Sequence, residues 1–576
     1  MVRKYIFVVG GVMSGVGKGI AASSIGRLLQ DSGFEVTAFK IDPYINVDAG
    51  TMNPTEHGEV FILEDGTECD QDMGNYERFL ERNFSKNNYM TTGSVYLSVI
   101  NKERNLGYQG KCVEVVPHIP LAVIEKINFS LSSSKSEIGV IEIGGTVGEY
   151  QNILFLEAVR ILKLKYPKDV LLCLVSYLPL LNKDNELKTK PTQYAVKTLN
   201  SAGLQPDIVL GRAAFPLDSK RREKIAFNCN LRKEDVFSAP DVETIYQVPL
   251  NFKKEGLDRL ILEKLSLRKK ADSFRKWKEL VKKIAAVKKE VSIGIVGKYF
   301  ASGSFVLTDS YISVIEAVKH AAFSLGFRPT ISWLDASDFE ETQRDPAQIK
   351  KNLETLKKYH GIIIPGGFGS RSVEGKIRVI QFVRENKIPF IGICYGMQLA
   401  VVEFTRNVLK LKRANTTEID PATPFPVIDI LPEQKINLEK KDFGGTMRLG
   451  IYPAVIKENS LAFRAYRKSH RFHLGPEEEK QARADSKKLV IKERHRHRYE
   501  VNPDYLKTLE KAGLSLSGLS PSGRLAEIVE LPPNTHPFFV GTQFHPELTS
   551  RPLDPNPLFK EFIRTSSRRT SKNNKP

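Results

Sequence analysis

The 576-residue sequence predicts an α/β protein of two domains, each organised around a mainly parallel sheet. Three observations carry that prediction. Strand-like apolar runs alternate with helical stretches in the first half, the same pattern starts afresh beyond a basic segment, and the length exceeds what one core ordinarily supports. An apolar content of 41% supplies a core for each half and excludes a disordered or collagen-like chain.

In chain order, the first domain reads as the strands YIFVVGGV, VTAFKID, IGVIEIGG, VLLCLVSYLP and DIVLGR with helices between them, and ends near Leu267. Phe274, Trp277, Val281 and Ile284 then recur at helical spacing within a basic stretch, which predicts an amphipathic connecting helix. The second domain runs through VSIGIVGKY, a helix carrying Ile312, Ile315 and Val318, then ISWLDA, GIIIPGG and PFIGIC. Leu461 to Leu489 is charge-rich with weak periodicity and reads as a surface insertion, while the closing SSRRTSKNNKP has nothing to bury. The expected spans are 1–267, a basic linker helix over 268–290, a second domain over 291–563, and a disordered basic tail over 564–576.

The net charge of +19 raises nucleic acid as a partner, but its location argues against one. Arg268–Glu290, Arg464–Arg498 and Ser566–Pro576 together hold +18 of it, so the excess sits on peripheral faces and tails. Five scattered cysteines without a CxxC pair argue against disulfides and structural zinc. No apolar run nears the roughly 20 residues of a spanning helix, so we expect a soluble, cytoplasmic protein without membrane partners.

After the first strand comes GGVMSGVGKG and then a helix, an order that aims backbone N–H groups and a helix N-terminus at phosphates, with Lys18 to neutralise them. Gly19 stands where a regular phosphate loop carries a Ser or Thr for magnesium. The metal therefore needs carboxylates from elsewhere, and Asp70, Asp72 and Glu142 are the candidates.

GGVMSGVGKG, KIDPYINVDAGTMNPTEHGEVFILEDGTECDQDMGNYERF, IEIGGTVGE and KTKPTQ each resemble signature segments of CTP synthases, in that family's order, and the likeness runs from Tyr5 to about Phe562. The resemblance implies a P-loop-like amidoligase domain that binds ATP and UTP. In it, Ser14 meets the pyrimidine nucleotide, and Gly15, Val16, Gly17, Lys18, Gly19 and Ile20 hold ATP phosphates. Lys18 and Lys40 stabilise phosphoryl transfer, and Asp72 and Glu142 bind Mg2+. Pro240, Asp241 and Val242 meet the ATP base. Glu149, Tyr150, Gln151, Lys188, Thr189, Lys190, Pro191, Thr192, Gln193 and Lys224 contact UTP or the product CTP. The implied reaction converts UTP to CTP: ATP phosphorylates the poor leaving group at C4 of uracil, and ammonia replaces it.

PFIGICYGMQ reads as a strand running into G-x-C-x-G and a helix, the cysteine form of a nucleophile elbow. The turn exposes Cys394 at a helix N-terminus, where the dipole favours thiolate. Two N–H donors should meet the oxyanion: that of Tyr395 and one from PGGFG, Gly367. FFVGTQFHPE supplies His545 as base, with Glu547 two residues on to orient it. This set resembles the triad of class I glutamine amidotransferases, a flavodoxin-like α/β fold. That resemblance adds Gly396, Met397, Gln398, Glu418 and Arg498 as further glutamine contacts. His495 and His497 have a spacing that suggests a metal, but no further ligands lie near them in sequence.

The family likeness also implies activation by GTP, inhibition by CTP, no organic cofactor, and a homo-oligomer from dimer to tetramer with filaments as a further form. Phe368–Glu374 and Arg448 are the segments where a GTP response is expected. Three segments depart from the family pattern: Gln151 in place of a second acid, GGFGSRS in place of GGFGYRG, and Tyr395 in place of leucine. KTKPTQ and DPYINVDAGTMNP argue against a related amidotransferase acting on a carboxylate, and the full set of catalytic residues argues against a scaffold.

Overall fold

The computed structural model describes residues 3–11, 13–53, 57–180, 186–297, 301–302, 305–306, 308–341, 344–430, 445–469 and 489–569. The chain forms two compact units, one of Met1–Ala49 with Asp72–Lys282, the other of Gly50–Gln71 with Lys283–Pro576. The short segment Gly50–Gln71 thus leaves the sequence neighbourhood of the first unit, and its antiparallel ribbon of Val60–Ile62 and Glu68–Asp70 belongs to the second.

The first unit holds an all-parallel sheet of seven strands. Their order is Tyr89–Thr91, Val36–Asp42, Ile138–Ile143, Lys4–Gly10, Val170–Tyr177, Ile208–Ala213 and Val236–Pro240. Central strands are buried along their whole length, as helices on both faces require, and this is why they read as continuous apolar runs. Phe7, Phe39 and Ile141 pack with Val123, Ile127 and Val159 of the covering helices. Tyr89–Thr91 and Val236–Pro240 were too short or too mixed to stand out by periodicity.

The connecting helix expected over 268–290 spans only Arg275–Ala286, because Lys289 and Glu290 already open strand Lys289–Gly297, and Phe274, Trp277, Leu280 and Val281 are buried. Its anchor is Trp277, whose indole N–H donates to the Tyr246 carbonyl at 2.8 Å while its ring meets Phe79 and the Arg27 guanidinium. Aromatic surface buried with its polar atom satisfied fixes this helix on the first unit.

The largest sheet of the second unit has nine strands in the order Phe327–Asp335, Lys289–Gly297, Gly361–Ile364, Phe390–Ile393, Phe539–Thr542, Ala526–Glu530, Ser515–Leu519, Arg448–Ile456 and Leu489–His497. The first five run parallel and the remainder antiparallel. Alternation divides the core: Ile362, Ile364 and Phe390 face one layer, Ile363, Ile391 and Ile393 the other.

The stretch expected as a surface insertion begins instead as core. Leu461–Ser469 is a helix with Leu461, Ala462, Phe463, Ala465 and Tyr466 buried, and its first N–H groups are capped by the Glu530 carboxylate, Leu461 N–H at 2.8 Å. A buried cap far along the chain outweighs the local excess of charge, and residues 470–488 lie outside the described residues. At the other end, helix Pro557–Ser566 runs across position 563, and Arg569 donates to the Tyr359 carbonyl. Positions 564–569 of the expected tail are therefore helix and turn, and 570–576 lie outside the described residues.

Candidate active sites

In the first unit, strand Lys4–Gly10 feeds a loop into helix Lys18–Asp31. Gly15 and Gly17 adopt φ of 71° and 82°, left-handed values that favour glycine, and Gly17 forms the helix N-cap without a side chain of its own. Lys18 is buried, its Nζ donating to the Gly145 carbonyl at 2.7 Å.

The structure explains the missing hydroxyl. A Cβ on Gly19 would collide with Oδ1 of Asp72, so the carboxylate occupies the space that a Ser or Thr side chain would need. Asp72 opens helix Asp72–Leu80, and its Oδ2 accepts from Lys40 Nζ at 2.5 Å. Lys40 also lies 3.3 Å from Asp42 and 3.7 Å from Glu142.

Burial works against a charged Asp72, but Lys40 and Lys18 outweigh it and hold its carboxyl below the usual range. Glu142 is the reverse: burial pushes it up to about 7 despite Lys40, with Asp72 adding to the rise and the Tyr76 hydroxyl donating to it. Asp70 falls instead in the ribbon of the second unit. Among the described residues no three His, Cys, Asp or Glu side chains converge on one point. An ion here would take two carboxylates and the oxygens of a bound phosphate.

Pro240 and Val242 line an apolar cavity with Gly17, Ile20, Val175 and Phe252, beside the phosphate loop. Asp241 pairs with Arg212 at 2.8 Å. Arg212, Val175 and Phe252 carry no local sequence signal, since they come from strands and a helix that only the fold assembles.

The pyrimidine candidates divide. Glu149 accepts from the Thr146 N–H at 2.9 Å and from Gln151 Nε2 at 3.0 Å, while Tyr150 is exposed. Thr189, Thr192 and Gln193 are buried at the start of helix Lys190–Ser201, where Ser176 donates to the Thr192 hydroxyl and Gln193 to Thr189. Lys190 and Lys224 are exposed, Pro191 is half-buried, and Lys188 pairs with Glu186.

In the second unit, Phe390–Ile393 ends at Cys394, whose φ of 51° and ψ of −103° place the nucleophile candidate in a strained turn at the N-cap of helix Tyr395–Asn407. The turn needs its glycines: a Cβ on Gly392 would meet the Gly396 carbonyl at 2.7 Å, and one on Gly396 would strike the Ile364 carbonyl. His545 Nδ1 and Glu547 Oε1 are 2.7 Å apart. His545 Nε2 is buried and, among the described residues, has no hydrogen-bond partner. Burial works against a charged imidazole, but the Glu547 carboxylate and the Cys394 sulfur raise His545 to about 10.

Cys394 Sγ donates to the Arg496 carbonyl at 3.8 Å and accepts from Gln543 Nε2 at 3.6 Å. Cys394, Gly367, Gln398, Glu418 and Arg498 line one cavity together with Arg496 and Tyr499. Gln398 donates to the Tyr499 carbonyl at 2.8 Å, Glu418 accepts from the Gly369 N–H at 2.6 Å, and Arg498 donates to Thr446 at 2.9 Å. Gly396 and Met397 are buried in the helix behind the turn.

Arg496 and Gln543 are contacts that sequence reasoning missed. Arg496 is held by Glu68 at 2.8 Å, a partner more than four hundred residues away in sequence. Arg448, expected to answer GTP, lies instead in a buried charge cluster with Glu500 and Glu527, at 2.9 and 2.8 Å. Its guanidinium is committed there. His495 donates into the same cluster, 2.8 Å from Glu527, and burial with the His495 and Arg448 charges pushes His497 well below the ordinary imidazole range.

The model of the family described as CTP synthase N-terminus matches residues 4–267, and that of glutamine amidotransferase class-I matches 306–565. The CTP synthase of Methanocaldococcus jannaschii is 47% identical over 566 residues, covering 98% of each chain. The chain belongs to the CTP synthase family. The CTP synthase of Carboxydothermus hydrogenoformans is 48% identical over 564 residues, again covering 98% of both. A solved Trypanosoma brucei CTP synthase glutaminase domain with bound acivicin is 33% identical, with a TM-score of 0.40, covering 49% of this chain and 95% of that one. Membership of the CTP synthase family accounts for a glutamine amidotransferase unit and a synthase unit in one chain. Among the described residues no helix is long and apolar enough to cross a membrane.

Proposed function

We propose that this chain makes CTP from UTP, consuming ATP and glutamine, by a reaction divided between the two sites just described. The observation that carries the proposal is the pairing, in one chain of this family, of the Cys394–His545–Glu547 set with the Lys18–Lys40–Asp72–Glu142 cluster.

In the glutaminase site the Cys394 thiolate attacks the side-chain carbonyl carbon of glutamine. The oxyanion is met by the N–H groups of Tyr395 and Gly367, and His545 delivers a proton to the departing ammonia. Water then hydrolyses the thioester to glutamate with His545 as base. Gln398, Glu418 and Arg498 supply polar groups for the α-amino and carboxylate ends of glutamine.

In the synthase site the C4 oxygen of UTP attacks the γ-phosphorus of ATP, giving 4-phosphorylated UTP and ADP. Ammonia adds at C4 and phosphate leaves, which yields CTP. Lys18 and Lys40 face the charge that accumulates as two triphosphates converge. The site fits Mg2+: Asp72 and Glu142 are hard oxygen ligands, and burial, which pushes Glu142 up to about 7 despite Lys40, leaves a carboxylate whose charge a cation would stabilise. Asp72 and Glu142 would hold the ion, which would supply positive charge to offset that of the phosphates. Ser14 through Ile20 hold the phosphates, the cavity of Pro240 and Val242 takes the base of ATP, and Glu149–Gln151, Lys188–Gln193 and Lys224 contact the pyrimidine nucleotide.

The same reading gives GTP as activator, with the half-exposed Phe368 and its loop to Glu374 as contact, and CTP as inhibitor. It also gives a cytoplasmic homo-oligomer, dimer to tetramer, with filaments as a further form. The test is ultraviolet measurement of UTP conversion with ATP and Mg2+, using glutamine or ammonium as nitrogen source, with and without GTP. Conversion with both sources is expected; a folded protein that never consumes UTP would sink the proposal.

A further inference from the structure

The residue after the nucleophile does more than lend a backbone N–H. Tyr395 is buried, and its hydroxyl donates to the carbonyl of Gly369 at 2.7 Å. Gly369 lies in the loop between strand Gly361–Ile364 and helix Val373–Glu385, two residues beyond Gly367, with φ of 76°. Its N–H is taken by the Glu418 carboxylate at 2.6 Å. Both backbone polar groups of this one residue are therefore held by side chains from elsewhere in the unit. The Tyr395 ring is fixed in turn: Lys376 Nζ, on the helix after the loop and buried, lies 5.3 Å from its centroid, and a Cβ on Gly367 would sit 3.7 Å from its edge.

A glycine-rich loop with left-handed residues is intrinsically free to reorient its peptide planes. An oxyanion donor is useful only when its N–H already points at the developing charge. We propose that Tyr395 is a positioning residue for the glutaminase reaction: its hydroxyl, with Glu418, clamps Gly369 and thereby fixes the Gly367 peptide as the second oxyanion donor. The first donor and the tie that orients the second then come from the same residue. The inference rests on the glutaminase reading of Cys394.

The experiment uses the full chain, and wild-type glutamine hydrolysis is measured first. If the wild type releases no ammonia from glutamine, it is the glutaminase assignment that fails. With an active wild type, Tyr395→Phe removes the hydroxyl alone. Its kcat for glutamine hydrolysis is expected to fall about 10-fold, short of the ~10²–10³ for losing an oxyanion donor outright. KM should stay within about twofold, because binding of ground-state glutamine does not use the tie. Alkylation of Cys394 by iodoacetamide, a displacement at a saturated carbon that builds no oxyanion, should keep its wild-type rate. Ammonium-supported CTP formation should be unchanged, which also reports folding. Tyr395→Leu should match Tyr395→Phe. The proposal is overturned if Tyr395→Phe keeps wild-type kcat, if alkylation slows as much as hydrolysis does, or if only Tyr395→Leu is impaired, since ring packing would then be the cause.

Discussion

The two candidate sites differ in how much of each is locked before any ligand arrives. In the glutaminase unit Cys394 and Glu547 are each 4% exposed, His545 is oriented by Glu547 at 2.7 Å, and the strained turn is enforced by glycines that nothing larger could replace. In the synthase unit the charged centre of Lys18, Lys40 and Glu142 is equally buried, but the surrounding contacts Ser14, Gly15, Tyr150, Lys190 and Lys224 face solvent. The comparison teaches that the candidate centre around Cys394 is prebuilt inside one unit, whereas the candidate nucleotide contacts are left open around a prebuilt electrostatic centre. A nucleophile works only at fixed geometry. A triphosphate brings its own charge and can organise flexible lysines as it binds.

The sharpest way to break the comparison is to remove the nucleophile. Cys394→Ala should reduce glutamine-dependent CTP formation by at least ~10³-fold while ammonium-dependent formation persists. Loss of both in a folded protein would mean that the two sites are not separable.

Next in size, Asp72→Asn should lower CTP formation from either nitrogen source by about 10²-fold, because the Lys40 charge loses its partner and the proposed metal ligand loses its charge. Gly19→Ser should act in the same direction through collision with Asp72. Chelation of divalent metal should do likewise and leave glutamine hydrolysis by the second unit intact. Ammonia release that vanished with the metal would contradict the division.

A smaller effect tests the triad through pH. His545 is raised to about 10, mainly by Glu547 against the opposing effect of burial, so the imidazole keeps its proton until the pH climbs through about 10. Its contribution to stability is fully present below the ordinary value near 6.5 and is lost as pH rises through about 10. Glu547→Gln should shift the alkaline limb of the glutaminase pH profile downwards and lower kcat about 10-fold or more. An unmoved limb would show that Glu547 does not govern the imidazole charge.

The smallest effect on activity concerns His536, far from either reaction in role. Buried, with Nε2 donating to the Val383 carbonyl at 3.2 Å and Nδ1 accepting from the Phe538 N–H at 3.2 Å, it is pushed down to about 4 by burial. The unfolded chain takes up its proton first, so stability falls by about 3 kcal/mol as pH drops from 6.5 towards 4. Acid unfolding followed by circular dichroism should show this loss, reduced in His536→Gln, with neutral-pH activity unaffected.

Much of both sites was legible because their chemistry is written in short, contiguous motifs. GGVMSGVGKG and PFIGICYGMQ each join a strand, a glycine turn and a helix within about ten residues, and local geometry then dictates where Lys18 and Cys394 go. The missing hydroxyl at Gly19 already pointed to carboxylates elsewhere. What stayed hidden has no local signature: Arg212 beside the base cavity, Arg496 and Gln543 against the nucleophile, and the Tyr395 tie to Gly369. Leu461 misled for a related reason, and the ion-pair partners of Arg448 stayed hidden in the same way. Charge and polarity read along the chain suggest exposure, while Glu500, Glu527 and Glu530 arrive from distant strands to satisfy them inside.

By itself the sequence determined the α/β fold class and the family likeness, and it singled out Cys394, His545 and Glu547 and the glycine loop before Lys18 as candidates. Periodicity and glycine placement act over a few residues, so one dimension suffices to see them. Only the tertiary structure decided that Gly50–Gln71 joins the second unit, that Asp72 and not Asp70 fills the space beside Gly19, and that Tyr395 reaches the Gly369 carbonyl. Those outcomes depend on buried polar groups finding partners across long sequence separations, and which partner satisfies each is settled only when the strands and helices pack.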